Sequence, residues 1–428
     1  MIHIVDKQNC CGCEACVQAC PKHCIDFITD QEGFMYPSVR EERCVNCGLC
    51  EKVCPVLNRG HKRSPELCYA AVNPDESERL KSSSGGIFIL LAKQVIKDGG
   101  VVFGARFDDK WNVVHGFAQT IDDVYPFMGS KYVQSRIGTS FIEVRKFLEQ
   151  GRQVLFTGTP CQVAGLKMFL RKDYKNLITV DLICHGVPSP KVWSQYLTEL
   201  KVSALQGANS VSLSSNRSIS GRDAFDKAKQ MEFKGISFRD KALGWKKFCF
   251  AFTLAESLDD GKQNTVSLSY THDKDLYFLG FNNYNLFLRP SCMVCPAKDL
   301  RSGSDITLAD FWGIDTLYPN INDDKGISAV MVNSEKGKDM MSTLNASLQT
   351  VEFADIAVRN RSVSISSTPP PISYRDFIKY KKVFKNKREC FFYDAERSVS
   401  ERVRILARPN FRQQIRGILR YIYHTFIH

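Results

Sequence analysis

Two cysteine runs near the N-terminus share one spacing, C-x2-C-x2-C-x3-C-P. They are Cys10, Cys13, Cys16 and Cys20 ahead of Pro21, then Cys44, Cys47, Cys50 and Cys54 ahead of Pro55. In this pattern three closely spaced thiolates bind one 4Fe-4S cube, and the fourth, before the proline, crosses over to ligate the other. Cys10, Cys13, Cys16 and Cys54 are therefore expected to hold one cluster, and Cys44, Cys47, Cys50 and Cys20 the second. A zinc ribbon would show paired C-x2-C knuckles, and a disulfide framework belongs to secreted chains, so both fit poorly. Cys11 and Cys24 are left over, and are expected to be small packed residues beside the ligands.

A second thiol set lies in the body of the chain. Cys161 follows a strand pattern and opens a helix in Thr157-Gly158-Thr159-Pro160-Cys161-Gln162, and Cys184 follows another strand in Ile183-Cys184-His185-Gly186. Ligands gather at the carboxyl ends of strands in open α/β sheets, so the two share a site if their strands are neighbours. Cys292 and Cys295 add a C-x2-C pair. Four such thiolates suit a third 4Fe-4S cluster; a structural zinc or unrelated cysteines are the alternatives. Cys68, Cys249 and Cys390 have no partners in sequence and read as buried thiols.

Iron-sulfur clusters move one electron at a time, whereas most organic substrates take two, and a flavin is the usual converter. The clusters thus predict a flavin. Ser82-Ser83-Ser84-Gly85-Gly86 ahead of a helix suits a pyrophosphate, with N–H groups and the positive end of the helix dipole turned to it. An ordinary cap has the same composition.

The elements that must position these residues alternate. Helices are predicted over 87–97, 140–150, 161–171 and 191–201, and strands over 101–107, 113–118, 153–157 and 177–183. Residues 202–222 are Ser-rich and polar and read as a loop or domain boundary, and short strands mixed with loops follow up to about Val332. From Phe411 a helix is expected with Phe411, Ile415, Ile418, Leu419, Ile422 and Phe426 on one face and Arg412, Arg416 and Arg420 on another. It packs on its own domain, or lies on a membrane or a partner.

The chain has 428 residues and a net charge of +12, of which residues 381–428 carry +8. With the basic charge confined there and no reader motif, nucleic acid is not an expected partner. No basic segment followed by an apolar one opens the sequence, and the longest apolar stretch, 87–92, is too short to span a bilayer, which points to a reducing cytoplasm.

Ser83-Ser84-Gly85-Gly86, Ser130-Lys131-Tyr132-Val133-Gln134-Ser135, Gly158-Thr159-Pro160-Cys161-Gln162, Cys184-His185-Gly186-Val187-Pro188 and Arg289-Pro290-Ser291-Cys292 jointly resemble the beta-subunit family of coenzyme F420-reducing hydrogenases and dehydrogenases. The resemblance implies FAD, an iron-sulfur cluster on Cys161, Cys184, Cys292 and Cys295, and exchange of electrons or hydride with the deazaflavin coenzyme or another acceptor. It makes Ser83, Ser84, Gly85, Gly86, Lys131, Ser135, Thr157 and Thr159 candidate FAD contacts, and Lys131 and His185 candidate catalytic residues. The Asp305–Gly313 block resembles the family too, with Asp310 orienting a cofactor or capping a turn. The fused cysteine module, with Ser237–Lys241 and Gly244–Lys247, resembles a bacterial branch, which implies substrates beyond coenzyme F420, a sugar-linked metabolite of a surface-polysaccharide pathway among them.

The expected fold class is α+β: a two-cluster ferredoxin-like domain over 1–60, an α/β flavin-binding domain with a mixed sheet over 66–201, a second domain over 202–380 supplying cluster ligands, and a basic helical tail over 381–428. The expected function is a cytoplasmic iron-sulfur flavoprotein oxidoreductase, with a ferredoxin or other redox protein and a small two-electron substrate as partners. A non-catalytic adaptor subunit docking through the tail is the alternative.

Overall fold

In the computed structural model, residues 1–211, 230–257, 263–372, 379 and 384–407 are described. The first sixty residues form a small module of two short helices, Ala15–Ala19 and Leu49–Lys52, and an antiparallel hairpin of β1 (Ile25–Thr29) and β2 (Met35–Val39). Its two cysteine loops share a backbone plan. Gly12 and Asn46 occupy one left-handed position (φ 72° and 50°), and Glu14 and Gly48 the next (φ 60° and 70°). Glu14 holds this conformation while its carboxylate accepts from the backbone N–H groups of Ile137 (2.9 Å) and Gly138 (3.2 Å) in the body.

The body is built on one mixed sheet. Its strands are β3 (Leu67–Val72), β4 (Val101–Phe107), β5 (Val113–Ala118), β6 (Val154–Gly158) and β7 (Leu177–Leu182), joined by three later ones described below. A separate antiparallel sheet is formed by β8 (Glu232–Asp240), β9 (Cys249–Ser257) and β10 (Gln263–Thr271). The later strands of the large sheet are β11 (Ile306–Asp310), β12 (Ser328–Val332) and β13 (Ser347–Thr350), giving the order β13-β3-β12-β11-β7-β6-β4-β5. The central run β11-β7-β6-β4 is parallel and both ends are antiparallel. The apolar run Ala329–Val332 of β12 follows from burial on both faces, and β7 is buried along all but its last residue. Strands from both sides of residue 202 thus share this sheet.

The helices Ile87–Lys97, Ser140–Glu149 and Pro160–Leu170 lie where periodicity places them. The Pro190–Val211 helix runs past the expected end at 201, because Val202, Ala204 and Leu205 continue its apolar face into a core with Trp193, Phe238, Phe250 and Tyr277. Residues 202–211 are therefore helix, and the rest of the expected loop, 212–222, lies outside the described residues. In the segment expected to mix short strands with loops, β8–β10 are nine residues long each, while β11 and β12 are short, at five. Helices Lys387–Tyr393 and Val399–Leu406 bury Phe391, Val399 and Val403 in the same core, and the predicted helix from Phe411 lies outside the described residues.

The small module is docked by shared burial. Ile2, Cys13, Cys16, Val53 and Cys54 belong to one apolar cluster with Phe141, Val144, Val163 and Leu166 from the Ser140–Glu149 and Pro160–Leu170 helices. Among the described residues no helix is long and apolar enough to cross a membrane.

Candidate functional site

The module presents two four-thiol groups. Cys10, Cys13, Cys16 and Cys54 are all buried, and burial together with the nearness of Cys10 and Cys54 raises the Cys16 thiol. In the second group Cys44, Cys47 and Cys50 line one cleft of about 370 Å³ with Cys20, the cysteine of the other run. Cys47 is exposed and Cys44 half-buried, so this outer group faces solvent and the first is the inner one. Soft thiolates in sets of four fit iron-sulfur cubes, and an apolar surround such as Ile2, Ile25 and Val53 limits solvent access.

The body thiols converge from three segments. β6 and β7 are parallel neighbours, so Cys161, just inside the Pro160–Leu170 helix, and Cys184, two residues past β7, stand at adjacent carboxyl ends. The Pro290–Val294 turn brings Cys292 and Cys295 against them: Pro188 bridges to Leu288, and the Val187 N–H donates to Cys292 Sγ at 3.4 Å. Burial first, then the neighbouring Cys295, pushes the Cys292 thiol up to about 12; Cys184 is raised by burial and by Cys292. A cleft of about 310 Å³ opens beside Cys184, Cys295 and Pro160, with Lys298 on its wall donating to the carbonyls of Cys184 and Ser362. The four are neighbours; as in the module, no three His, Cys, Asp or Glu side chains among the described residues are placed to hold a single metal ion.

Two thiols left over in the sequence prove to be placed at the sites. Cys24 contacts Cys20 Sγ at 3.4 Å through its own sulfur. The buried Cys11 thiol lies near enough to Cys13 and to Cys161 for both to perturb it, so its sulfur belongs to the region between the inner group and the body group. The run Cys10-Cys11 offered no hint of this, because Cys161 is supplied from 150 residues away.

The other candidates fall into two neighbouring clusters and one outlier. Ser83 Oγ accepts from the N–H (2.7 Å) and hydroxyl (2.9 Å) of Ser130. Ser82 and Ser84 donate to the carbonyls of Glu78 and Ile327, and the Gly85 N–H donates to Ser328 Oγ. A Cβ at Gly85 would stand 2.3 Å from the Ala71 carbonyl oxygen, and Gly86 (φ 82°) begins the Ile87–Lys97 helix. The serine turn is thus tied to the sheet, its hydroxyls committed within the protein, and as it stands it does not fit the open pyrophosphate cradle its composition suggested. Lys131 Nζ donates to the carbonyls of Pro126, Met128 and Gly129, and burial pushes this ammonium down to about 7.

Ser135 and Thr157 meet at His115, and Thr159 is linked to them through Gln162. Nε2 lies 3.0 Å from the Thr157 carbonyl, which can only accept, so this nitrogen carries the proton and Nδ1 accepts from the Ser135 hydroxyl at 3.0 Å. Burial pushes His115 down to about 4, which keeps the ring neutral in that tautomer. Gln162 Nε2 donates to Ser135 Oγ (2.9 Å), and Thr159 caps the helix that carries Cys161. Thr157 Oγ1 donates to the Phe103 carbonyl. His185 lies apart from both clusters, bonded to Asn285 Oδ1 at 2.6 Å and lowered by burial.

Asp310, at the end of β11, pairs with Arg239 through both oxygens (2.7 and 3.1 Å) and accepts from Trp245 Nε1 at 2.8 Å. Trp245 stacks on Trp312 with centroids 4.9 Å apart. Arg239 also donates to the Ser83 carbonyl, which ties this pair to the serine turn.

Comparison with known proteins follows the same division. Residues 3–59 match the family described as 4Fe-4S dicluster domain, and residues 151–357 match the C terminus of the coenzyme F420 hydrogenase/dehydrogenase beta subunit. The chain is similar to the coenzyme F420-dependent sulfite reductase of Methanocaldococcus jannaschii, 27% identical over 206 residues covering 46% of this chain and 31% of that protein. It is also similar to an uncharacterized protein of that organism, 24% identical over 197 residues covering 39% of this chain and 54% of the relative. It therefore spans less than two thirds of the length of either. Among solved structures it is similar to a chain of the F420-reducing [NiFe] hydrogenase complex from Methanosarcina barkeri, with 16% identity and a TM-score of 0.42 over 71% of this chain and 88% of that one.

Proposed function

We propose, for a chain that joins a 4Fe-4S dicluster domain to the C-terminal domain of the coenzyme F420 hydrogenase/dehydrogenase beta-subunit family, that it is an iron-sulfur flavoprotein oxidoreductase. It passes electrons between a redox protein such as a ferredoxin and a small two-electron substrate, a deazaflavin or another metabolite, sugar-linked ones included. Cys20, Cys44, Cys47 and Cys50 hold the outer cluster, Cys10, Cys13, Cys16 and Cys54 the inner one, and Cys161, Cys184, Cys292 and Cys295 a third.

When bound, the clusters supply one-electron transfer and FAD the conversion to two electrons. The protein's own residues provide the order. The outer thiols face solvent, where a partner can reach them, and the inner thiols face the helix that begins with Pro160 and Cys161. FAD enters on the chemical need for a one-to-two-electron converter, while the hydroxyls of Ser82, Ser84 and Ser135 are hydrogen-bonded within the protein.

The observation that carries this reading is the packing of the Pro160–Leu170 helix, which bears Cys161, on Cys13 of the module: a Cβ at Gly165 would stand 2.9 Å from Cys13 Sγ, which sets the inner and body thiol groups side by side. Anaerobic purification with iron, sulfide and flavin analysis tests it. About twelve irons and one flavin per chain are expected, since each cube carries four irons; about eight irons and no flavin would leave an electron carrier without a catalytic body.

A further inference from the structure

Arg289 belongs to the body, yet its guanidinium ends inside the cysteine module. The residue is 1% exposed. Nε donates to the Cys10 carbonyl at 2.7 Å, one Nη to Gln134 Oε1 at 3.0 Å, and the other to the Met35 carbonyl at 2.8 Å and to Cys10 Sγ at 3.5 Å. The plane lies 4.4 Å from the Tyr36 ring centroid and 5.4 Å from that of Phe34. A Cβ on Gly12 would come within 2.8 Å of it, so the loop is shaped to admit this side chain.

Every hydrogen-bond acceptor but one is neutral. Among the described residues no carboxylate pairs with Arg289; Glu14, an acid that feels its charge, spends its oxygens on the Ile137 and Gly138 N–H groups. A buried unpaired cation costs several kcal/mol, so such groups are found where an anion meets them. The acceptor that can bear negative charge here is the sulfur of Cys10, a ligand position of the inner cluster. Donors to the outer group are neutral by contrast: the Ile2 N–H to Cys50 Sγ at 3.3 Å and the Cys24 N–H to Cys20 Sγ at 3.5 Å.

We propose that Arg289 sets the reduction potential of the inner cluster, raising it relative to the outer one so that electrons collect at the end of the module that faces Cys161. The step is a one-electron reduction by a redox-protein donor with no proton required. The reduced cluster carries one more negative charge than the oxidised one, so a fixed cation and a charge-assisted hydrogen bond at Cys10 favour the reduced form. The same arginine is anchored to the body site, since its N–H donates to the Val187 carbonyl and its carbonyl accepts from the Cys292 N–H, both at 2.9 Å.

The test is a potentiometric titration of the full chain followed by electron paramagnetic resonance, with the outer signal assigned through Cys47→Ser. In Arg289→Gln the inner cluster is expected to become at least tenfold harder to reduce, which is about 59 mV for a one-electron couple, while the outer stays in place. Arg289→Lys, which keeps the charge, restores most of the shift. If Arg289→Gln fails to retain the inner cluster, Gln134→Glu serves instead: a carboxylate 3.0 Å from the guanidinium pairs the charge and lowers the inner potential alone. Iron-replete variants whose potentials do not move, or in which both clusters move together, overturn the proposal without touching the iron-sulfur assignment, which iron analysis reads separately.

Discussion

Gly165, one turn into the Pro160–Leu170 helix, packs so closely on Cys13 that a Cβ there would stand 2.8 Å from its Cβ and 2.9 Å from its Sγ. This contact brings a body helix against the inner thiol group. Gly165→Val therefore forces the module away, with a stability loss of about 1–3 kcal/mol typical of overpacking. Thermal melting and iron analysis check it, and the inner cluster is the one expected to be depleted.

The proposed crossover of the fourth ligands separates two variants that look equivalent in sequence. Cys54→Ala removes the inner signal and Cys20→Ala the outer, each with a loss of about four irons per chain. Combining each with electron paramagnetic resonance tells them apart: the signal lost in Cys54→Ala is the one whose potential Arg289→Gln displaces. Loss of the same signal from both variants would contradict the cleft shared by Cys20, Cys44, Cys47 and Cys50.

His115 makes stability depend on pH. Its folded value, about 4, lies below the unfolded 6.5, so between these the unfolded chain binds the extra proton and stability falls as pH falls. The contribution is fully present above pH 6.5, and about 2 kcal/mol of it is lost between pH 7 and pH 5. His115→Gln should flatten this part of the profile. Denaturant titrations of the wild type and the variant at both pH values measure the difference.

Asp310 leaves a charge behind when neutralised. Arg239 is buried with a side-chain exposure of 4%, and breaking such a pair from one side costs about 3–5 kcal/mol. Asp310→Ala is expected to lower the melting midpoint and, because Trp245 loses its acceptor, to shift the tryptophan emission to the red. An unchanged spectrum would show that the Trp245–Trp312 stack is held by other contacts.

Much of the body was legible because its signals are local. The runs 101–107 and 113–118 are apolar and β-branched, and the Gly and Pro residues beside 87 and 160 mark helix starts, so those elements lie where expected. The α+β class with a ferredoxin-like module, a mixed sheet and C-terminal helices was equally readable. What periodicity could not reach was pairing at long range: β3 lies between β12 and β13, strands from more than 250 residues later. The surroundings of the serine turn were hidden in the same way: its partners Ile327 and Ser328, at the start of β12, come 243 residues later in the chain. Arg289 was visible only as part of a motif, since its acceptors come from residues 10, 35 and 134.

The placement of β3 bears on how the protein matures. As the chain leaves the ribosome the cysteine module emerges first, and the strand behind it has no neighbours until residues 328–350 have been made. Arg289 and the 160–170 helix, which wall off Cys10 and Cys13, also arrive later. The inner thiols thus stay uncovered during synthesis until the residues that wall them off have been made. Slowing translation downstream of residue 60 should favour loading, and starving cells of iron should trap chains whose body has closed on empty thiols.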